Sequence, residues 1–191
     1  MRFTPRTAAA SAAVAAALLA GPGPASAADA LQLSSTDVAD GATIGNDYVF
    51  KGFGCTGKNL SPALAWSGAP AGTKSFALTV YDPDAPTGSG WWHWVVYDLP
   101  ATSTGLSRGA GAAKGGHMPK GSVQGRTDFG APGYGGPCPP PGDKPHHYVF
   151  TLYALDLAKL PVPAGASAAL IGFNLHFHTV AKASFTALYG R

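Results

Sequence analysis

The stretch Tyr81–Pro100 reads YDPDAPTGSGWWHWVVYDLP and joins two strongly predicted strands. Ser75–Tyr81 (SFALTVY) leads into it and Trp92–Asp98 (WHWVVYD) lies within it, and both are rich in β-branched and aromatic residues. Between them, DPDAP (82–86) places two aspartates and two prolines within five residues, shortly before a histidine among three tryptophans. Polar and rigid groups packed this closely against aromatics indicate a functional site at a strand end.

The rest of the chain also favours a mainly β fold. It has 26 glycines, 17 prolines and no glutamate, and strong helix formers are scarce after residue 27. Further strands are predicted at Leu31–Ser34, His147–Leu155 and Ala183–Tyr189, and one helix within Ser167–Val180, with Ser167 as its N-cap. Both faces of the middle strands are apolar, so we expect them to be buried on both sides.

Residues 1–27 predict a secretory signal peptide. Arg2 and Arg6 precede the small and apolar run Ala8–Ala20, and a GPGP break and the small residues Ala-Ser-Ala at 25–27 follow. The run is shorter than the roughly 20 apolar residues that span a bilayer, which disfavours an uncleaved membrane anchor. We therefore expect residues 28–191 to form a single secreted domain without a transmembrane segment.

The charge of the predicted domain excludes one class of partner. The chain has 13 basic and 10 acidic residues, and the leader carries two of the basic ones, Arg2 and Arg6. The domain is therefore almost neutral. Because no basic stripe remains, we expect no nucleic-acid partner.

The segment Gly105–Pro145 has little apolar periodicity and many glycines and prolines. A loop region that long inside a compact domain is usually functional or disordered, and its proline-rich end is too rigid for a floppy tether. The segment contains Cys138, and the chain's other cysteine is Cys55. In an exported protein this pair indicates a disulfide, with two buried free thiols as the alternative.

Two rigid polar segments each lie beside a strong strand. DPDAP follows Ser75–Tyr81, and CPPPGDKPHH (138–147) precedes Tyr148. If these strands are neighbours, Asp82, His93 and His146 can meet at one end of the sheet. Tryptophan and tyrosine rings would then form walls, and prolines would stiffen the rim. The residues that we expect to bind a ligand are Asp82, Pro86, Trp91, His93, Pro140, His146 and Tyr148.

The chemistry of this set favours a small anion. A carboxylate beside a histidine stabilises the imidazolium, so we expect Asp82 to raise the pKa of the neighbouring histidines. The tyrosine hydroxyl and backbone N–H groups of glycine-rich turns add hydrogen-bond donors. Donors of this kind suit a phosphate or a carboxylate, and the aromatic walls suit an apolar tail or ring.

Other interpretations compete with anion binding. Two histidines and a carboxylate form a known metal-ligand set, but no HxxxH or CxxC spacing supports a metal. An Asp–His pair can orient a general base, but no serine or cysteine lies in a recognisable nucleophile elbow. Alone, His93 in its aromatic strand would be read as a hydrogen-bonded core residue. We interpret His176 and His178 as structural and His117 as solvated.

The motifs together resemble the phosphatidylethanolamine-binding protein family, in its bacterial Raf-kinase-inhibitor-like branch. The combination of DPDAP with G-P-x-P-P-x-G-x-x-x-H-x-Y is specific. The resemblance covers FGCTGKNLSPALAW (53–66), DPDAP, WWHWVVYDLP (91–100), DFGAPGYGGPCPPPG (128–142), HHYVFTLYALD (146–156) and AKASFTALYGR (181–191). It implies two antiparallel sheets packed together with one or two short helices, and a pocket for phosphate-type anions and phospholipid head groups at the seven residues named above.

One position departs from the family pattern, which usually has arginine where His147 stands. By strand alternation His147 points away from His146 and Tyr148, so we expect a rim contact to differ rather than the pocket. The resemblance implies a non-enzymatic binding protein without a cofactor or metal. The alternative is an inhibitor or modulator of a peptidase or another protein partner, acting through Gly105–Pro145 and the pocket rim.

Overall fold

The computed structural model describes residues 1, 30–114 and 116–191. Except for Met1, the predicted signal peptide lies outside the described residues, so the leader and the domain boundary stay predictions. The described residues contain a 3₁₀ turn (Asn46–Tyr48), one helix, α1 (Ala168–His178), and the strands β1 (Gln32–Ser34), β2 (Lys51–Gly52), β3 (Cys55–Thr56), β4 (Leu64–Ser67), β5 (Ser75–Asp82), β6 (Trp91–Pro100), β7 (Gly105–Leu106), β8 (Val123–Gln124), β9 (His146–Leu155) and β10 (Thr179–Tyr189).

The strands form antiparallel sheets, as the sequence predicts. The largest sheet has five strands in the order β10-β9-β5-β6-β8, a second has three in the order β1-β4-β7, and β2 pairs with β3. This confirms the mainly β fold class with few helices. The segment Gly105–Pro145 contains β7 and β8, two-residue strands that add to the edges of both larger sheets.

The five-stranded sheet is buried on both faces. On one face it packs against the three-stranded sheet, where the rings of Trp66 and Phe76 lie 5.7 Å apart. On the other face Ala77, Val95 and Leu155 pack with residues of α1. The side chains of Phe76 and Ala77, neighbours in β5, thus point to opposite faces of the sheet, because side chains alternate along a strand.

Helix α1 lies within the predicted range and begins where its N-cap predicts. The Ser167 hydroxyl accepts a hydrogen bond from the Leu170 N–H (3.2 Å), which satisfies one of the free amides of the first turn. The helix ends at His178, and β10 starts at Thr179, four residues before its predicted start. The prediction missed this direct transition because Thr179 and Val180 continue the apolar run. Among the described residues, no helix is long and apolar enough to cross a membrane.

The order of strands sets the position of the site. Strands β6 and β9 both pair antiparallel with β5. The last residue of β5, Asp82, therefore lies at the same end of the sheet as the first residues of its neighbours, Trp91 and His146. Asp82 pairs directly with Trp91 in the register. The two rigid polar segments that flank these strands consequently meet.

Candidate functional site

At this end of the sheet lies a cavity of about 160 Å³, which we call the Asp82 pocket. The structure brings all seven sequence-predicted residues to it. They are Asp82, Pro86, Trp91, His93, Pro140, His146 and Tyr148, and the remaining lining residues are Phe53, Ala85, Thr87, Phe129, Cys138 and Pro139. The lining thus combines a few buried polar groups with aromatic rings and prolines.

Asp82 is both the capping residue of the DPDAP turn and a wall of the pocket. Its side chain is almost fully buried. One oxygen, Oδ1, accepts hydrogen bonds from the backbone N–H groups of Asp84 (2.8 Å) and Ala85 (3.2 Å). The other, Oδ2, accepts a hydrogen bond from Nδ1 of His146 (2.8 Å). The aspartate therefore organises its own turn and holds one pocket histidine in place.

His146 is the histidine that favours the charged state. Burial disfavours its imidazolium, but the hydrogen bond and the negative charge of Asp82 outweigh this effect and raise the pKa of His146 above its ordinary value. On the other side of the ring, Nε2 lies 3.4 Å from Oδ2 of Asp143. Both ring nitrogens of His146 therefore face carboxylates, and what the ring adds to the cavity wall is its positive charge.

His93 behaves in the opposite way. Its Nδ1 donates a hydrogen bond to the Gly135 carbonyl (2.8 Å), and its Nε2 lies 4.0 Å from Oδ2 of Asp82. Because the ring is almost fully buried, its pKa falls to about 4 despite the nearby carboxylate. Asp82 does act to raise the pKa of His93, as expected, but desolvation exceeds the attraction of the carboxylate at that distance and the net pKa is lowered.

Two pocket residues carry buried donors that bond to no described group. They are Nε1 of Trp91 and the hydroxyl of Tyr148. Burial, followed by the charge of Asp82, raises the pKa of Tyr148, so the hydroxyl keeps its proton. Buried polar groups in native proteins are nearly always hydrogen-bonded. A ligand in the cavity could therefore satisfy both.

The mouth of the pocket is an aromatic collar of Phe50, Phe53, Phe129 and Trp91. The ring of Phe129 stacks on Phe50 (4.4 Å) and meets Trp91 edge-on (5.3 Å). Phe53 is 68% exposed and has a left-handed backbone (φ 51°). Sequence reasoning predicted Trp91 but missed the three phenylalanines, although the positions of Phe53 and Phe129 within FGCTG and DFG offered a signal.

Two links join the Phe53 segment to the proline-rich wall. Cys55 and Cys138 are bonded to each other in the structure, across 83 positions of sequence. The Arg191 guanidinium donates hydrogen bonds to the carbonyls of Pro139 (2.7 Å) and Phe53 (3.1 Å). Nothing in the sequence signalled the contribution of Arg191, because its partners are backbone atoms.

The remaining histidines lie outside the pocket. The backbone N–H and the ring of His147 both donate to Asp84 (2.7 Å each), so this exposed residue ties the DPDAP turn to β9. The side chain of His147 is exposed while those of His146 and Tyr148 are buried, as strand alternation predicts. His178 contacts Asp156 (3.1 Å) and His117 is exposed. Among the described residues, no group of three histidine, cysteine or acidic side chains is arranged to hold a metal ion.

Comparison with known proteins agrees with the motifs. The family model of the phosphatidylethanolamine-binding proteins matches residues 34–190. The chain belongs to this family. Among its relatives, Escherichia coli YbcL is 54% identical over 160 residues, covering 84% of this chain and 87% of YbcL. The crystal structure of that protein superposes with a TM-score of 0.82, covering 84% of this chain and 98% of YbcL.

Other relatives of this phosphatidylethanolamine-binding protein family member differ more. The Mycobacterium tuberculosis protein named putative lipoprotein LppC is 43% identical over 144 residues, covering 75% of this chain and 64% of LppC. A carboxypeptidase Y inhibitor, solved in complex with its cognate proteinase, has a TM-score of 0.50 at 20% identity, covering 84% of this chain and 82% of the inhibitor. At this level of identity, the similarity to the carboxypeptidase Y inhibitor shows a shared fold only.

Proposed function

We propose that this chain is a secreted, non-enzymatic binding protein whose Asp82 pocket holds a small oxyanion, such as phosphate or the phosphate of a phospholipid head group. The observation that carries the proposal is the pair of buried, unpartnered donors on Trp91 and Tyr148. They line the same cavity as His146, whose pKa is raised. An oxyanion would accept hydrogen bonds from Trp91 and Tyr148 and be attracted by the positive charge of His146.

Three further observations support a location outside the cytoplasm. The sequence predicts a leader at residues 1–27, and the relative LppC is named a putative lipoprotein. The bond between Cys55 and Cys138 fits the same compartment, because structural disulfides persist in oxidising environments.

Isothermal titration of residues 28–191 with inorganic phosphate and with O-phosphoethanolamine tests the proposal. We expect one anion per chain, and about tenfold or greater weakening in Tyr148→Phe, because a hydrogen bond to a charged group is lost. Phe173→Ala, an exposed aromatic on α1, is the matched control and should bind like the wild type. If the wild type gives no heat with either anion at millimolar concentration, the proposal is wrong.

A second candidate is a modulator of a secreted peptidase, and the exposure of Phe53 at the pocket mouth favours it. The ring of Phe53 lies against those of Phe50 (5.3 Å) and Phe129 (5.9 Å), and a contiguous exposed apolar patch is typical of a protein-contact surface. The solved carboxypeptidase Y inhibitor has a related fold. Size-exclusion chromatography with peptidases from the organism's own secretome distinguishes the two. A stoichiometric complex that Phe53→Asp abolishes supports this candidate, and peptidases that elute separately contradict it.

A further inference from the structure

A second cavity, of about 590 Å³, lies on the α1 side of the five-stranded sheet, between the segments 123–132 and 159–166. We call it the Tyr97 cavity. It shares no lining residue with the Asp82 pocket. Tyr97 and Trp91 are six positions apart in β6, which corresponds to about 20 Å along a strand. The Tyr97 cavity is therefore separate from the site of the proposed function.

Two consecutive polar residues of β6, Tyr97 and Asp98, both line this cavity. The register between β6 and β5 shifts here by one residue, so Tyr97 and Asp98 together oppose Ala77. Asp98 has a left-handed backbone (φ 58°). Such a bulge interrupts the alternation of side chains and is common beside functional sites. It explains why neighbouring residues of one strand reach the same cavity.

The carboxylate of Asp98 is engaged by the segment that follows β9. Its Oδ1 accepts a hydrogen bond from the Leu160 N–H (2.8 Å), and its Oδ2 lies 3.5 Å from Nζ of Lys159. Asp98 therefore holds this segment against β6, and Lys159 balances its charge. A ligand meets a neutralised carboxylate at this wall.

Two donors in the cavity have no partner among the described residues. Tyr97 is only 7% exposed, yet its hydroxyl bonds to no described group. Burial, followed by the charge of Asp98, raises the pKa of Tyr97, so the hydroxyl keeps its proton. Arg126 is exposed at the cavity, and no described residue forms an ion pair with its guanidinium. Because buried polar groups are nearly always hydrogen-bonded, the Tyr97 hydroxyl indicates a ligand with an acceptor.

The charges of the cavity favour a monoanion. Arg126 and Lys159 carry two positive charges against the single negative charge of Asp98. A guanidinium binds a carboxylate through two parallel hydrogen bonds. A carboxylate would therefore neutralise the excess charge and also accept from Tyr97.

The rest of the wall favours an apolar body on that ligand. Glycines and alanines line it together with Val123, Pro132, Leu160 and Val162. Gln124 also lines it, but its amide is already hydrogen-bonded to two other residues. A peptide would need partners for its own N–H groups, whereas an alkyl or aryl chain needs none.

We propose that the Tyr97 cavity binds an alkyl or aryl monocarboxylate, such as a medium-chain fatty acid. The carboxylate pairs with Arg126 and accepts a hydrogen bond from Tyr97, and the chain packs against the apolar wall. This inference goes beyond the proposed function and does not depend on it, since the two cavities have no residue in common.

Octanoate, 1-octanol and acetate separate the two parts of the recognition. Octanol has the chain without the charge, and acetate has the charge without the chain. Isothermal titration of the protein should show octanoate binding at least about tenfold more tightly than either. No heat with octanoate at millimolar concentration, or an equal affinity for octanol or acetate, would overturn the inference.

Two variants assign the carboxylate to its donors. Arg126→Gln should weaken octanoate binding about tenfold and Tyr97→Phe about threefold, while 1-octanol binding stays the same. Lys182→Gln removes an exposed positive charge outside both cavities and is the matched control. Wild-type affinity for octanoate in Arg126→Gln contradicts the inference, and so does an equal loss in Lys182→Gln.

The Asp82 pocket is the competing location for octanoate, because it also combines positive charge with aromatic walls. Substitutions at separate sites usually act independently. Tyr148→Phe should therefore change octanoate affinity by less than about twofold, and Arg126→Gln should do the same for phosphate. Octanoate binding that Tyr148→Phe weakens and Arg126→Gln spares would overturn the inference. A failure of phosphate binding alone would overturn the proposed function and leave this inference standing.

Discussion

The centre of the five-stranded sheet and its pocket end consist of the same strands, β5, β6 and β9, but differ in how their buried groups are satisfied. At the centre, Leu78, Trp94 and Leu152 are fully buried, and the apolar side chains pack against one another. At the pocket end, Asp82 and Tyr148 are almost as deeply buried, yet they are polar and part of their hydrogen-bonding capacity is unused. Two of the three buried donors that lack a described partner, those of Trp91 and Tyr148, lie at the pocket end, and the third, on Trp66, lies between the two sheets.

Stability arises mainly at the centre of the sheet, whereas binding is proposed for the pocket end. Burial of apolar surface stabilises the frame, while a buried polar group without a partner costs about 1–3 kcal/mol. The pocket end is rigid all the same, because DPDAP, the proline-rich wall and the Cys55–Cys138 link restrict its backbone. If the pocket binds a ligand as proposed, the ligand would find the donors of Trp91 and Tyr148 already in position.

The largest expected effect is a loss of stability from a substitution at the centre of the sheet, with the pocket unchanged. Leu152→Ala removes a fully buried side chain and should lower the free energy of unfolding by about 2–5 kcal/mol. The folded protein should bind phosphate as before, since Leu152 does not line the pocket. Urea denaturation and titration measure the two quantities. The exposed Phe173→Ala should change stability by no more than about 0.5 kcal/mol, and a large loss there would undermine the contrast.

The next largest effect concerns the disulfide that joins the Phe53 segment to the proline-rich wall of the pocket. Replacing Cys55 and Cys138 together by serine removes a disulfide between residues 83 positions apart. The loss should lower the free energy of unfolding by about 2–4 kcal/mol. Because Cys138 lines the pocket, phosphate affinity should fall as well, unlike in Leu152→Ala. A double variant with wild-type affinity would show that the link supports the fold alone.

Much of the sheet and of the pocket lining could be predicted from the sequence. Strands β5, β6 and β9 were predicted to within two residues at each end, because runs of seven to nine residues rich in β-branched and aromatic side chains carry a clear pattern. Adjacency of these strands then sufficed to bring Asp82, His93 and His146 together. The four-residue strand β4 and the two-residue strands β2, β3, β7 and β8 were missed, since such short runs carry little or no period.

The electrostatics of the pocket could not be predicted in the same way. The pKa of His93 depends on how completely its ring is buried and on the carbonyl of Gly135, which lies 42 positions away in sequence. Neither is visible in WWHWVVYDLP. The contacts of Arg191 were equally hidden, because they depend on how loops pack rather than on residue type.

The smallest expected effect is the pH dependence of the free energy of unfolding, to which the two pocket histidines should contribute in opposite directions. The pKa of His93 is about 4 in the fold and near 6.5 when unfolded, so its contribution to stability is present above pH 6.5 and is lost towards pH 4. The pKa of His146 is raised in the fold, so its contribution is present below pH 6.5 and is lost as pH rises through the folded value. Stability should therefore be greatest near pH 6.5.

Urea denaturation across this range separates the two histidines. Between pH 6.5 and about 5.5 the wild type should lose about 1 kcal/mol through His93. The carboxyls with lowered pKa, Asp37 and Asp84, act only below about pH 3.8. His93→Phe should flatten the acid limb and keep the alkaline one, whereas Leu152→Ala should lower the whole curve without changing its shape. An acid limb that persists in His93→Phe would mean that another group at the pocket end titrates there, and the contrast between the two histidines would fail.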